Sequence, residues 1–257
     1  MRAVAKANPQ GMNNGWYHFF KYILIGPWLR LWNRPFTEGL HYVPKRGAAL
    51  LVSNHQAVMD SFYLPLVCPR QLTFPAKKEY FTAPGLVGAI QRFFFTSVGQ
   101  VPIDRKSKGA GDALIDTARE VFARDDIMGI YPEGTRSPDG RVYRGRTGMA
   151  RIAMSTGVEV IPVAMLNTAK ANPIGSWIPR PAKVGVRFGE PISPRQWAQD
   201  RGLDVDDHAT MRAFTDYVMK ELASLTQTEY VDHYASEIKD SLAAGNGYPE
   251  GTEPRHG

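Results

Sequence analysis

Short apolar runs alternating with helical segments constrain the fold of this chain more than any other feature. The runs are Ala48–Ser53, Gln71–Ala76, Ser97–Ile103, Asp126–Tyr131, Glu159–Leu166 and Lys183–Phe188, each bounded by Gly, Pro or charged residues. That is the pattern of short, buried strands. Helices are predicted over Met59–Val67, Pro84–Phe95, Lys108–Arg124, Thr147–Thr156, His208–Thr226 and Tyr230–Ala244. Within Lys108–Arg124, Ala113, Leu114, Thr117, Ala118, Val121 and Phe122 fall on one helical face. Met211, Phe214, Val218, Leu222 and Leu225 do the same in His208–Thr226, and Gly157 is a suitable stop after Thr156. Strands alternating with helices predict an α/β fold: a mixed, largely parallel sheet flanked by helices. The length of 257 residues, 43% of them hydrophobic, suits one sizeable domain with a small appendage. The expected division is 1–36 as N-terminal amphipathic helices, 37–244 as the α/β domain and 245–257 as a flexible, Gly- and Pro-rich tail.

Composition narrows the chemistry. Cys68 is the single cysteine, which excludes an internal disulfide and a cysteine zinc site, and the six histidines lack ligand spacing, so no metal is expected. The formal net charge is +6, with a sequence pI near 9.4. Such a surface favours anionic partners. The basic residues are scattered and no base-reading motif occurs, so the expected partners are anionic lipid or a phosphate-bearing substrate and no nucleic acid.

Residues 1–15 are polar, and no small-residue cleavage site follows the apolar stretch after them, so no secretory leader is expected. From Trp16 to Trp32 the chain is aromatic and aliphatic, but His18 and Lys21 interrupt it and Gly26-Pro27 breaks it. It lacks the roughly 18 uninterrupted apolar residues of a spanning helix. Phe20, Ile23, Leu24, Trp28, Leu31 and Trp32 recur at helical spacing, with His18, Lys21, Arg30, Asn33 and Arg34 among or beside them. Two short helices at a water–lipid boundary fit this pattern. A helix pair packed on the protein's own core is the alternative.

Two clusters follow predicted strands, where open α/β sheets bind ligands. The first is Asn54-His55-Gln56-Ala57-Val58-Met59-Asp60. Asp60 lies about one turn into the following helix, within reach of His55. A carboxylate on one imidazole nitrogen fixes the tautomer and leaves the other nitrogen as a base. Ser53 lacks the Gly-x-Ser-x-Gly turn of a hydrolase, and Cys68 sits in an apolar helix, so neither is placed as a nucleophile. The pattern points to a His–Asp dyad that activates an external hydroxyl; the alternative is a histidine that caps the helix. The second cluster is Glu133-Gly134-Thr135-Arg136-Ser137. Arginine holds phosphate in a bidentate fork, and Arg105, after Gly99–Asp104, is a second arginine at a sheet end. Glu133 is placed either to orient an arginine or to bind a substrate hydroxyl. Lys77, Lys78 and Arg146 are further cations, to be weighed against ordinary solvated charges. The loop 133–140 also reads as turn residues alone.

These segments together resemble the glycerolipid acyltransferase family, the bacterial 1-acylglycerol-3-phosphate acyltransferases in particular. Asn54–Asp60 is similar to the family's His-x4-Asp block. Gly99–Arg105, Glu133–Ser137 and Val160–Ala164 are similar to the three that follow it, and Ala76–Phe81 to a lysine segment in between. The likeness runs from about Leu40 to Ala164. Pro102 departs from many members, which carry an aromatic or aliphatic residue there.

The resemblance implies an α/β domain with an apolar acyl groove behind an N-terminal membrane-binding element. It implies transfer of an acyl chain from acyl-CoA or acyl carrier protein to a lysophosphatidic acid-type acceptor, giving phosphatidic acid. His55 and Asp60 would be catalytic; Arg105, Arg136, Lys77 and Arg146 would hold the phosphate; Asn54, Glu133, Gly134 and Thr135 would orient the substrate. No cofactor is implied beyond the thioester co-substrate. The expected location is the cytoplasmic face of the cell membrane, peripheral or monotopic. The rivals are the same chemistry on another lysophospholipid, glycerol 3-phosphate or a lipid-linked acceptor; a non-catalytic lipid-surface protein; and a His–Asp lipid hydrolase.

Overall fold

A computed structural model describes residues 15–104, 109–176 and 178–254, apart from the side chains of Lys77 and Ala110. Six strands form the main sheet: Phe36–Glu38 (β1), Ala49–Ser53 (β2), Leu72–Thr73 (β3), Ile127–Ile130 (β6), Val160–Leu166 (β8) and Gly185–Phe188 (β9). Pro75–Lys77 (β4) with Val101–Ile103 (β5), and Val142–Tyr143 (β7) with Tyr230–Val231 (β10), form two small pairs. The helices are Gly15–Phe19 (α1), Gly26–Asn33 (α2), Asp60–Val67 (α3), Glu79–Thr82 (α4), Gly85–Ser97 (α5) and Ala110–Phe122 (α6). Gly148–Thr156 (α7), Thr168–Ala171 (α8), Pro194–Gln199 (α9), His208–Thr226 (α10) and Ala235–Ala243 (α11) complete them.

The strand order is β1-β9-β8-β2-β6-β3. Every neighbouring pair is parallel except β8 with β9, so the sheet is mixed and largely parallel. Strand side chains alternate between faces, and each face has its own core. Leu50, Val52, Met128 and Ile130 pack with Ala118, Val121, Met149, Phe214 and Val218 from α6, α7 and α10. Ala49, Leu51, Ile127, Ile161 and Val163 pack with Leu29, Tyr63 and Leu64 from α2 and α3. The central strands therefore need apolar residues on both sides, which is why their sequences read as continuous runs.

Local chemistry moves several elements from their predicted bounds. The run Gln71–Ala76 divides: β3 pairs with β6, whereas β4 pairs with β5. Pro75 stands at the break; it has no N–H to extend a ladder. Ser97 closes α5 instead of opening a strand, and Gly99, at φ +75°, makes the turn into β5. Tyr230 and Val231 form β10 beside β7, so the final helix is confined to Ala235–Ala243. Of the segment expected as a frayed tail, residues 245–254 lie against the body. Arg141 donates to the Thr252 and Glu253 carbonyls, and the Tyr248 hydroxyl donates to Asp139 at 3.2 Å.

The N-terminal element packs one face on the protein's core and leaves the other exposed. The chain passes from α1 through a π-helical turn, Phe20–Leu24, into α2, with Pro27 near the start of α2 where its missing N–H does no harm. One face is core: Leu29 is fully buried, and the buried Asn33 donates to the Arg180 and Ala182 carbonyls while accepting from the Tyr63 hydroxyl at 2.9 Å. The other face exposes Trp16, Ile23, Leu24, Trp28 and Leu31.

Lys21, expected among the interfacial cations, instead points inward and donates to the Cys68 carbonyl. Burial pushes its ammonium down to about 8. A lysine in the unfolded chain titrates near 10.4, so between about pH 8 and 10.4 the unfolded state holds more protons. Stability conferred at this site therefore rises with pH across that window, and below it the penalty of the buried charge is fully present. The expected result is a pH-dependent difference in melting temperature between wild type and Lys21→Met. Wild type should gain relative to the variant as pH rises from 7.5 to 10, and parallel curves would refute the buried charge.

Candidate active site

The register of the sheet brings the two strand-end clusters together. β2 and β6 are adjacent and parallel, with Val52 opposite Ile130. Both chains leave the sheet at one edge, and His55 and Glu133, each three residues further on, meet there. The His55 backbone N–H donates to Glu133 Oε1 at 3.1 Å. The Ser137 N–H donates to the His55 carbonyl at 2.7 Å, a second tie between the loops.

Asp60 opens α3 and is fully buried. Its Oδ2 accepts from the N–H groups of Gln56 at 2.7 Å and Ala57 at 2.9 Å, and lies 2.9 Å from His55 Nδ1. A carboxylate there draws the ring proton to Nδ1 and leaves Nε2 as a proton acceptor. The ring is held flat against Tyr131, with centroids 4.1 Å apart and planes 15° apart, and Tyr131 is stacked in turn on Phe74. Phe74 lies so close over β6 that a Cβ on Gly129 would come within 2.4 Å of its ring. Burial pushes the Tyr131 phenol well above its ordinary value, so it stays neutral; its oxygen is 3.2 Å from Ser61 Oγ.

Two of the expected substrate-orienting residues are bonded to backbone groups. Asn54 is buried, and its amide is paired with the backbone of Met165, accepting from the N–H at 2.7 Å and donating to the carbonyl at 3.3 Å. It fastens the His55 loop to β8. Glu133 is also buried, with Oε1 on the His55 N–H and Oε2 on the Tyr143 N–H at 3.4 Å, so it positions the loop and reaches neither an arginine nor open solvent. Burial pushes its carboxyl well above the usual range, with Asp60 and Asp139 adding to the rise and the two N–H donors opposing it.

The remaining cluster residues face a cavity of about 900 Å³. His55, Gly134, Thr135, Arg136 and Arg146 line it, and much of the rest is apolar, including Phe62, Phe74, Phe94, Leu29 and Leu66. Gly134 turns the chain at φ +72°, with Arg146 Nε where its side chain would point. Among the described residues, neither Arg136 nor Arg146 forms an ion pair with a carboxylate. Arg105 lies outside the described residues, as does the side chain of Lys77. Lys78 is exposed, 3.5 Å from Asp104, on the β4–β5 side. Sequence reasoning passed over Tyr131 and Phe74, whose only signal was their aromatic character at strand ends. It also passed over Lys239, whose Nζ donates to Thr135 Oγ1 at 3.1 Å from a helix beyond every recognisable block.

A base held by a carboxylate, two cations without acidic partners and an apolar cavity make a site suited to an amphiphile that carries an anionic head. Comparison with known proteins agrees. Residues 34–166, just over half of the chain, match the model of the family described as Acyltransferase. The chain is 26% identical over 196 residues to the 1-acyl-sn-glycerol-3-phosphate acyltransferase of Limnanthes alba, covering 76% of this chain and 66% of that protein. It is 30% identical over 125 residues to the protein of the same name from Helicobacter pylori, covering 48% and 51%. The chain thus spans less than two thirds of these relatives' length. The crystal structure of the 1-acyl-sn-glycerophosphate (LPA) acyltransferase PlsC from Thermotoga maritima shares the fold, with a TM-score of 0.56 at 23% identity, covering 82% of this chain and 88% of that one. The matched segment holds both strand-end clusters and the strands that bring them together, and on that ground the chain belongs to the acyltransferase family.

Proposed function

We propose that this acyltransferase moves an acyl chain from a thioester, acyl-CoA or acyl carrier protein, to the free hydroxyl of 1-acylglycerol 3-phosphate, giving phosphatidic acid in phospholipid biosynthesis. The observation that carries this reading is one cavity in which the Asp60-held His55 and Arg136, without an acidic partner among the described residues, share an otherwise largely apolar lining. The names of the relatives support the choice of acceptor.

His55 Nε2 takes the acceptor's hydroxyl proton as the oxygen attacks the thioester carbonyl. The carbon–sulfur bond breaks, and the thiolate leaves with the proton that His55 returns. Asp60 fixes the ring and stabilises its transient positive form. Arg136, with Arg105 and Lys77, holds the phosphate and so delivers the hydroxyl; such positioning is a large part of catalysis. Arg146 closes the phosphate end from the far side of Gly134. Asn54 and Glu133 support the loop that carries His55.

The test is an assay of purified protein with labelled acyl-CoA and a panel of acceptors with and without phosphate. Labelled phosphatidic acid is the expected product. Loss of acyl-CoA without an acylated lipid overturns the reading in favour of hydrolysis. Arg136→Gln should raise the KM for the phosphate-bearing acceptor. A hydrogen bond to a charged group contributes about 1.5–3 kcal/mol, so catalytic efficiency should fall roughly 10- to 150-fold. An unchanged efficiency moves the phosphate elsewhere.

The acceptor and product are bilayer lipids, so we also propose that the protein works at a lipid surface, peripheral or monotopic, on the cytoplasmic face where thioester donors are made. No helix of the described residues is long and apolar enough to cross a membrane. The exposed aromatic and aliphatic face of α1 and α2 supports attachment at the interface.

A further inference from the structure

α11 lies beyond the matched segment 34–166, yet it closes over the second cluster. Lys239, in its second turn, donates to Thr135 Oγ1 at 3.1 Å, beside Arg136. Just before the helix, Tyr234 lies under the Arg146 guanidinium, 5.0 Å from ring centre to Cζ, and within its first turn Ser236 Oγ accepts from Arg146 Nη2 at 3.4 Å. Arg146 and Lys239 therefore both approach the Gly134–Arg136 turn, Arg146 at Gly134 and Lys239 at Thr135. Among the described residues none of these three cations forms an ion pair with an aspartate or glutamate. Burial holds the Lys239 ammonium below its ordinary value, and the nearby Arg136 charge lowers it further, against a smaller opposing pull from Asp240. Gathering like charges in a partly dehydrated place is unfavourable unless an anion joins them. A hydroxyl at Thr135 satisfies one donor of an ammonium that has three, so Lys239 keeps donors for a ligand.

We propose that Lys239 is a ligand of the acceptor's phosphate monoester, so that the C-terminal helix completes the acceptor site begun by the Glu133–Arg136 loop. The proposal rests on the acyl-transfer reading above and extends it to a residue outside the four sequence blocks. Lysine contributes a mobile point charge where Arg136 and Arg146 contribute planar forks. The combination suits a phosphate monoester, which presents three oxygens to separate donors.

The experiment uses the full chain and two variants, Lys239→Gln and Lys239→Arg, each checked for folding by circular dichroism and melting temperature. At saturating acyl-CoA, Lys239→Gln should raise the KM for 1-acylglycerol 3-phosphate about tenfold or more with kcat little changed. Lys239→Arg should retain most of the affinity. On a phosphate-free monoacylglycerol, wild type and Lys239→Gln should be equal. The KM for acyl-CoA should not move.

An equal KM for the phosphate acceptor in wild type and Lys239→Gln overturns the proposal. So does an equal loss on both acceptors, which marks a purely structural tie to Thr135. A shift confined to acyl-CoA overturns it in favour of the donor's phosphates. Calorimetry with glycerol 3-phosphate, in the absence of donor, separates the two readings. A wild type that binds this probe more tightly than Lys239→Gln, but does not acylate 1-acylglycerol 3-phosphate, retires the proposed reaction and keeps the phosphate site.

Discussion

His55→Ala should lower the turnover number by about 10²- to 10⁴-fold, the usual worth of a positioned general base, while the protein remains folded. Among the described residues, the dyad contact and the Tyr131 stack are what depend on the ring. The loop itself is held by the His55 backbone on Glu133 and Ser137, by Asn54 on Met165 and by Gln56 on Gly140. Asp60→Asn should be impaired in the same range for a different reason. Its carboxylate oxygen gathers His55 Nδ1 and two backbone N–H groups in a fully buried place. An amide there supplies one accepting oxygen in place of two and carries no charge. The ring then loses the charge that holds its proton on Nδ1 and stabilises the positive form. Labelled acyl transfer, measured with circular dichroism on the same preparations, checks both variants. A folded His55→Ala protein with near-normal transfer would remove the dyad from the mechanism.

The sheet could be read from sequence because its central strands are buried on both faces. Ala48–Ser53, Asp126–Tyr131 and Glu159–Leu166 each match an observed strand within two residues at either end. His208–Thr226 was legible because its amphipathic stripe is long and capped by Asp207, whose side chain accepts from the Ala209 N–H. Where packing was local and short, the pattern failed. Pro75 divides one apolar run between two sheets, and Tyr230-Val231 is a strand only because β7 lies beside it.

The site was legible as residue types and less so as roles. Asn54 and Glu133 carry the polarity expected of substrate contacts. Burial redirects them to backbone partners that no spacing rule identifies. Lys239 is 103 residues beyond Arg136 in a helix of ordinary surface composition, and only the tertiary fold places it at Thr135.

Replacing Ile23 and Leu31 together by glutamate should release the protein from vesicles. The sequence suggests a simpler experiment, deletion of residues 1–34, but that deletion also removes Leu29 from the core and Asn33 from its bonds to Arg180, Ala182 and Tyr63. A truncated protein that stayed in solution would report lost folding as much as lost attachment. Trp32 is unsuitable too, since its Nε1 donates to the Pro179 carbonyl at 2.8 Å. Ile23 and Leu31 are 67% and 81% exposed, so their loss leaves the interior untouched. Each buries about 1.5–3 kcal/mol of apolar side chain when it enters a bilayer interface. Losing both should lower the partition coefficient by about 10²- to 10⁴-fold, and two new carboxylates add repulsion from anionic headgroups. Some binding should remain, because Leu86, Val87 and Ile90 of α5 are also exposed, and Phe93 of that helix meets Trp16 edge-on at 5.2 Å. Flotation with anionic liposomes is the measurement. Transfer to a dispersed, short-chain acceptor serves as the control and should be nearly unchanged, since neither substitution touches the His55 cavity lining. A double variant that floats as fully as wild type would show that the face formed by α1 and α2 does not hold the protein at the lipid surface.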